Sequence, residues 1–267
     1  MQSGAAVAVS LFDRVGFAGA VLLRNALAIP MLLALWRPSL AGRERADLRL
    51  VAGYGVALGV MNLSIYAALD RIPLGIAVTV EFLGPLGVAV LWGRGRLALL
   101  WAGMAALGVV FLAGPFGDSA DLLGIAFAAI AALAWAAYIL LGGRVARAFA
   151  GASGLTIGVT IAALIQLPAG LLAGGSELVA PGVLGAGLAI AVLSTAIPYA
   201  AEMEALRRIP PAPFGVLMSL EPAVAALVGL VALGQGLDAG EVAGIALVVI
   251  ASIGAIRTAR RPARVVD

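Results

Sequence analysis

The sequence contains no cysteine and no histidine, and only 12% of its 267 residues are charged. The missing residue types exclude disulfide bonds, thiolate nucleophiles, imidazole bases and the usual soft-metal sites. Any proton chemistry must therefore use carboxylates, and an enzyme would lack the usual acid, base and metal constellations. We predict that the protein is not an enzyme and that it has no metal and no cofactor.

Hydrophobic residues are abundant and make up 63% of the chain, whereas a soluble domain is about half apolar and a quarter charged. Apolar runs of about 20 residues recur, and each is long enough to cross a lipid bilayer. Backbone amides in lipid must be satisfied within their own segment, so these runs are predicted to be helices. The sequence therefore predicts an all-α polytopic membrane protein.

Ten transmembrane helices are predicted, and the first of them is apparently truncated. It comprises residues 1–12, which is short for a membrane span. The other nine segments have spanning length, and all loops between them are short. They comprise residues 15–36, 49–69, 73–92, 96–115, 121–142, 152–174, 180–201, 212–233 and 238–256.

The basic residues, all 17 of them arginine, are unevenly divided between the two sides of the predicted bundle. Fourteen lie on the side that holds both termini, Arg14 and Arg71 lie on the opposite side, and Arg24 lies inside an apolar run. Because the arginine-rich side of a membrane protein faces the cytoplasm, both termini are predicted to be cytoplasmic. The arginine excess thus indicates membrane topology and not nucleic-acid binding.

The two halves of the chain resemble each other. The sequence LDRIP at residues 69–73 matches LRRIP at residues 206–210, an offset of 137 that also pairs Pro85 with Pro222. An odd number of predicted helices separates the two copies, so the copies are inverted. We predict two inverted five-helix repeats, in residues 1–115 and 121–257, followed by a basic cytoplasmic tail in residues 258–267. Such repeats place a substrate site near the membrane midplane and favour alternating access.

Three charged residues, Arg24, Glu81 and Glu221, lie deep in apolar segments. Charges inside a membrane are costly, so each needs a partner or a function. In the functional interpretation, Arg24 receives a substrate carboxylate while Glu81 or Glu221 holds an amine or a coupling proton. In the structural alternative, Arg24 and Glu81 form an ion pair that fixes helix packing. Pro85 and Pro222 are predicted to break the helices beside the two carboxylates, because proline lacks an amide donor.

Other polar and aromatic residues in the apolar segments are candidates for contact with the substrate or coupling ion. Hydrogen bonding between helices is the more common role of such residues in membrane proteins. The candidates are Asn62, Thr79, Trp135, Tyr199 and Ser219, with Ser64, Tyr138, Ser194 and Thr195 as further members of the same group.

Two stretches, ALDRIPLGIAVTVEFLGP at residues 68–85 and FGVLMSLEPAVA at residues 214–225, resemble the threonine and homoserine exporter branch of the drug/metabolite transporter superfamily. The resemblance covers nearly the whole chain. It implies ten helices in two EamA-type repeats, an exporter in the bacterial inner membrane, and amino-acid-like substrates. Arg24, Glu81 and Glu221 match family positions, whereas family members begin with a longer segment that contains a full first helix.

We therefore predict a secondary-active exporter of small amino acids, similar to threonine or homoserine, that uses alternating access and proton coupling. One alternative is an exporter of another small metabolite or a drug. Others are a passive channel and a scaffold without transport. A homodimer is neither predicted nor excluded, because small residues are spread too evenly to mark one helix face.

Overall fold

The computed structural model describes residues 1–38, 42–92, 96–112, 121–199, 201 and 218–258. All regular elements in these ranges are helical, which confirms the all-α prediction for them. The α-helices are α1 (Gln2–Val9), α2 (Phe12–Leu35), α3 (Arg45–Leu69), α4 (Leu74–Glu81), α5 (Leu83–Trp92), α6 (Arg96–Leu112), α7 (Leu122–Ala148), α8 (Ser153–Gly174), α9 (Pro181–Ala191), α10 (Glu221–Leu233) and α11 (Ala239–Thr258).

Six helical stretches in the described ranges are long and apolar enough to cross a membrane, and three shorter ones are also apolar. Large apolar side chains point away from the bundle, including Leu133, which is 74% exposed, and Leu172, which is 87% exposed. Water would disfavour so much exposed apolar surface, whereas lipid would cover it. The architecture is that of a polytopic membrane protein. The count of ten spanning helices stays a prediction.

The helix ends lie close to those expected from the apolar runs. Helix α8, for example, begins and ends within a residue of the predicted segment 152–174. Two ends differ more: α9 ends at Ala191, inside the predicted segment 180–201, where the π-helical turn Val192–Ala196 follows, and α7 continues to Ala148, six residues beyond the predicted segment 121–142. Arg144 and Arg147 lie in this extension, and positive charges near a helix C-terminus complement the helix dipole.

Small residues let several helix pairs approach closely. Helix α2 packs along α8, α3 along α7 and α8, α4 against α10, and α6 along α11. On the α4–α10 contact, a Cβ added to Gly75 would lie only 2.8 Å from the Cα of Ala226. On the α6–α11 contact, a Cβ added to Gly108 would lie 2.8 Å from the carbonyl oxygen of Gly244. Interfaces of this kind are typical of helices that associate within a membrane.

The main apolar core lies toward one end of the bundle. Among its members are Leu11 and Val15 around the start of α2, Leu69 and Ile72 at the α3–α4 turn, and Leu178 just before α9. These residues are at most 6% exposed. The core therefore closes the end of the bundle at which α2, α4 and α9 begin.

Candidate functional site

A cavity of about 770 Å³ lies between the helices, within the size range of small-molecule sites. Its wall includes Tyr66 in α3 and Glu81 at the end of α4, and it continues to Gly151 in the α7–α8 loop. Arg144 and Arg147 lie in the last turns of α7, next to that loop. The cavity thus extends from the middle of the bundle toward the arginine-rich side.

Two ion pairs lie at the opposite end of the bundle, beside the apolar core. Arg14 Nη2 is 2.5 Å from Glu177 Oε2, and Arg71 Nη1 is 2.7 Å from Asp121 Oδ2. Each pair joins a residue of the predicted first half, 1–115, to a residue of the predicted second half, 121–257. All four side chains are partly exposed, as expected of residues near a membrane surface.

Asp121 also begins helix α7. Its Oδ1 accepts hydrogen bonds from the amides of Leu123 at 2.8 Å and Gly124 at 3.2 Å. Arg71 donates to the other carboxylate oxygen. The hydrogen bond from Arg71, followed by those from the two amides, lowers the pKa of Asp121 below its usual value. The carboxylate therefore caps the helix and connects it to the α3–α4 turn.

Arg24 is buried in the cavity wall and is held by the segment that follows α9. Its Nε donates to Thr195 Oγ1 at 3.2 Å, and its Nη2 donates to the carbonyl oxygen of Ser194 at 3.1 Å. Both acceptors lie in a π-helical turn, Val192–Ala196. In a regular α-helix the amide of residue 198 would bond the Ser194 carbonyl, but residue 198 is a proline and has no amide hydrogen. Turns of this type are frequent at functional sites.

Arg24 does not form the ion pair with Glu81 that the structural alternative required. The ion pairs found in the described part of the chain are the two at the closed end. The two hydrogen bonds of Arg24 use two of the five N–H groups of a guanidinium. Its other N–H groups lie beside Tyr66 and the cavity, so they can serve an anionic group there.

Glu81 and Glu221 line the same cavity. Glu81 is the last residue of α4, and the chain resumes as α5 at Leu83. Pro85 cannot supply the amide that would bond the carbonyl of Glu81, which explains the break. Pro222 lies in the first turn of α10, directly after Glu221. Neither carboxylate has an ion-pair partner among the residues that the structure describes.

The remaining sequence candidates divide into two groups. Asn62, Trp135 and Tyr199 belong to the cavity wall. Thr79 and Ser219 are completely buried and do not belong to the part of the wall that the structure describes. The Thr79 hydroxyl donates to a carbonyl one turn earlier in its own helix, at 2.6 Å. Of the five candidates, three are therefore placed where they can touch a substrate.

A polar network between α2, α3 and α8 was not anticipated from the sequence. Asn25 Nδ2 donates to Gln166 Oε1 at 2.8 Å, and Gln166 Nε2 donates to the carbonyl oxygen of Gly59 at 3.0 Å. Asn62 Nδ2 donates to Asn25 Oδ1 at 3.4 Å. The network connects three helices, and through Asn62 it reaches the cavity wall.

Aromatic side chains form two pairs in the cavity wall. The rings of Tyr54 and Tyr138 are stacked with centroids 4.8 Å apart, and the rings of Phe82 and Trp135 meet edge to face at 5.6 Å. All four residues line the cavity. The wall therefore combines an apolar aromatic surface with the charged groups of Arg24 and the two glutamates.

Comparisons with known proteins agree with this description. The EamA-like transporter family matches residues 122–257. The threonine/homoserine exporter RhtA of Salmonella typhimurium strain LT2 is 43% identical over 267 residues, which cover 98% of this chain and 89% of the relative. The protein of the same name from Escherichia coli strain K12 is 42% identical over 271 residues, which cover 99% and 90%.

One solved structure, titled "Crystal structure of protein", has a similar fold. Its TM-score is 0.62 at 23% sequence identity, and the match covers 97% of this chain and 95% of that chain. At this level of identity the likeness supports the fold alone.

Proposed function

The chain belongs to the EamA-like transporter family, and we propose that it is a secondary-active exporter of small amino acids such as threonine and homoserine. The observation that carries the proposal is the charge arrangement in the cavity. Arg24 lines the cavity together with two carboxylates, Glu81 and Glu221. An amino acid has one carboxylate and one ammonium group, so it can bind groups of both signs there.

The proposed orientation places the substrate carboxylate at Arg24 and its ammonium group at Glu81 or Glu221. Unpaired carboxylates inside a membrane are costly, so each glutamate needs a cation during the transport cycle. The substrate ammonium group can satisfy one of them and a proton the other. Exchange of these two cations would couple export to the proton gradient.

Alternating access is supported by the way in which the helices pair. The contacts α2–α8, α4–α10 and α6–α11 each join helices that occupy equivalent positions in the two predicted halves, 1–115 and 121–257. This pairing is expected of inverted repeats, which rock about a central site. The ion pairs Arg14–Glu177 and Arg71–Asp121 also join the two halves, at the end opposite the cavity.

The arginine-rich side would face the cytoplasm of a bacterial inner membrane, by the positive-inside rule. The cavity extends to that side, so in this proposal the structure would correspond to a state that loads substrate from the cytoplasm. Both termini would then be cytoplasmic. Export requires the closed end to open, which would separate the two ion pairs.

The aromatic wall favours a second group of substrates. A cavity of about 770 Å³ is large for threonine, and the stacked Tyr54–Tyr138 and edge-to-face Phe82–Trp135 pairs offer apolar surface to a bulkier side chain. Larger hydrophobic amino acids are therefore the second candidates. A panel of labelled amino acids distinguishes the two groups.

Export from intact cells tests the proposal. Cells that express the chain and are preloaded with labelled threonine or homoserine should release the label saturably and faster than cells without it. The Arg24→Gln variant should lose this release because the carboxylate loses its charged partner. The matched control is Arg144→Gln, which removes an exposed arginine of α7. Release that rises linearly with concentration would indicate a channel. Loss of release in both variants alike would contradict the role of Arg24.

Proton coupling is tested separately with Glu81→Gln. We expect this variant to insert normally but to lose pH-dependent efflux, because glutamine cannot carry the coupling proton. The matched control is Glu44→Gln, which changes an exposed glutamate directly before α3. Normal pH-dependent efflux by Glu81→Gln would contradict the proton role.

A further inference from the structure

Tyr66 has a buried hydroxyl group that interacts with the guanidinium of Arg24 but makes no hydrogen bond of normal geometry in the described part of the chain. The side chain lies in α3 and is 1% exposed. Buried hydroxyl groups are nearly always hydrogen-bonded, and an exception requires an explanation. Tyr66 was not among the predicted site residues, since a tyrosine in an apolar helix gives no signal of its own.

The position of Tyr66 suggests what the hydroxyl is for. The residue lines the cavity, and the Cζ atom of Arg24 is 5.7 Å from the centroid of its ring. The ring also packs against Phe12 with centroids 6.0 Å apart. Tyr66 therefore contacts both Phe12 and the guanidinium of Arg24, and Arg24 uses only two of its N–H groups on the segment that follows α9.

The charge of Arg24 decides which ligand this pair can receive. A phenol oxygen can either donate to an anion or accept from a cation, but the neighbouring guanidinium repels a cation. A carboxylate is attracted by the guanidinium and has oxygens for both donors. An amide or an alcohol at the same position of the ligand would lack the negative charge.

We propose that Tyr66 is a specificity-determining residue that holds the α-carboxylate of the transported amino acid together with Arg24. The Tyr66 hydroxyl donates to one carboxylate oxygen, and the free N–H groups of Arg24 donate to the other. The inference rests on the proposed function and adds the residue that makes the site selective for free acids. It also accounts for the unsatisfied hydroxyl, which gains its partner when substrate binds.

Transport kinetics in proteoliposomes test the inference through the Tyr66→Phe variant, which removes only the hydroxyl oxygen. For labelled threonine, the KM of this variant should rise about tenfold to a hundredfold, since a hydrogen bond to a charged group is lost. For threonine amide, whose neutral carbonyl accepts a weaker hydrogen bond than a carboxylate, the KM should rise much less. The matched control is Tyr54→Phe, which removes a hydroxyl from another tyrosine of the wall and should affect both compounds alike.

A second measurement separates binding from folding. Without substrate, purified Tyr66→Phe should be at least as heat-stable as the wild type, because it no longer buries an unsatisfied hydroxyl. Threonine should raise the melting temperature of the wild type and raise that of the variant much less. If Tyr66→Phe does not insert, Tyr66→Met is measured in the same way.

The outcomes distinguish the two proposals. If the wild type transports threonine and Tyr66→Phe has an unchanged KM, or an equal change for threonine and its amide, the inference about Tyr66 is wrong and the proposed function stands. If the wild type neither transports nor binds any amino acid, the proposed function is wrong and the inference falls with it. A rise in KM that is much larger for compounds with a free carboxylate supports both.

Discussion

Gly84 controls how closely α5 approaches α7 beside Glu81, and its replacement by alanine should disrupt this contact. A Cβ at position 84 would lie 2.2 Å from the carbonyl oxygen of Ala132 and 3.0 Å from its carbonyl carbon. Carbon atoms pack at about 3.5 Å or more, so the helices would have to separate by roughly 1 Å. Overpacking of this size costs about 1–3 kcal/mol. The oxygen belongs to the backbone, which cannot rotate away as a side chain could.

Gly87 provides the matched control on the same helix. A Cβ at this position would meet no atom of the described structure within 4 Å. Alanine favours a helix over glycine by about 1 kcal/mol, so Gly87→Ala should be neutral or slightly stabilising. The two variants make the same chemical change three residues apart, and they differ in the space available to the added methyl group.

Melting temperature in detergent and efflux from cells are the measurements. Gly84→Ala should lower the melting temperature by about 2–10 °C and reduce efflux, because moving α5 away from α7 shifts Trp135 in the wall and the α4–α5 break beside Glu81. Gly87→Ala should do neither. Equal melting temperatures and equal efflux for the two variants would refute the close α5–α7 contact.

Two further predictions concern hydrogen bonds away from Arg24, Glu81 and Glu221. The pKa of Asp121 is lowered in the folded protein, so its carboxylate stabilises the fold at neutral pH and loses this effect as the pH falls through that lowered pKa. Thermal stability of the wild type should therefore decrease more on acidification than that of Asp121→Asn, and parallel pH profiles would contradict the Arg71–Asp121 contact. Gln166→Leu removes the acceptor of Asn25 and should lower the free energy of unfolding by about 1–3 kcal/mol, which is measured as a lower melting temperature. An unchanged melting temperature would show that the network does not stabilise the bundle.

The helices themselves were predictable from sequence because hydropathy over about 20 residues reflects the membrane thickness. Helix α3 (Arg45–Leu69) coincides with the predicted segment 49–69 apart from its polar first turn. The break after Glu81 could also be anticipated from Pro85, since it follows from the covalent chemistry of one residue. The bounds and breaks of a single helix could thus be predicted without knowledge of its neighbours.

Contacts between helices were harder to predict from the sequence. Glu81 was a possible ion-pair partner of Arg24 by depth in the membrane, but in the structure Arg24 donates to the Ser194 carbonyl and the Thr195 hydroxyl. The Ser194 acceptor is a backbone carbonyl that lacks its helical donor because residue 198 is a proline. The residue type at position 194 therefore does not reveal the acceptor. Pro198 was the only available clue, and its effect depends on which neighbouring helix supplies a donor.

The same limit explains which site residues were missed. Asn25 and Gln166 are polar residues in apolar helices, and their pairing depends on the α2–α8 contact. Tyr66 becomes notable only when its hydroxyl is found to be buried without a partner. Conversely, Thr79 was a reasonable candidate by residue type, but its hydroxyl bonds its own helix. Residue type and depth select candidates, whereas side-chain direction decides between them.

Counterflow in proteoliposomes tests the central claim most directly. Vesicles that contain the purified chain and a high internal concentration of unlabelled threonine are placed in a low concentration of labelled threonine. A site that is exposed alternately to the two sides predicts transient accumulation of label above its external concentration, with saturation as external threonine rises. Label that only equilibrates, at a rate linear in concentration and independent of internal threonine, would contradict the account.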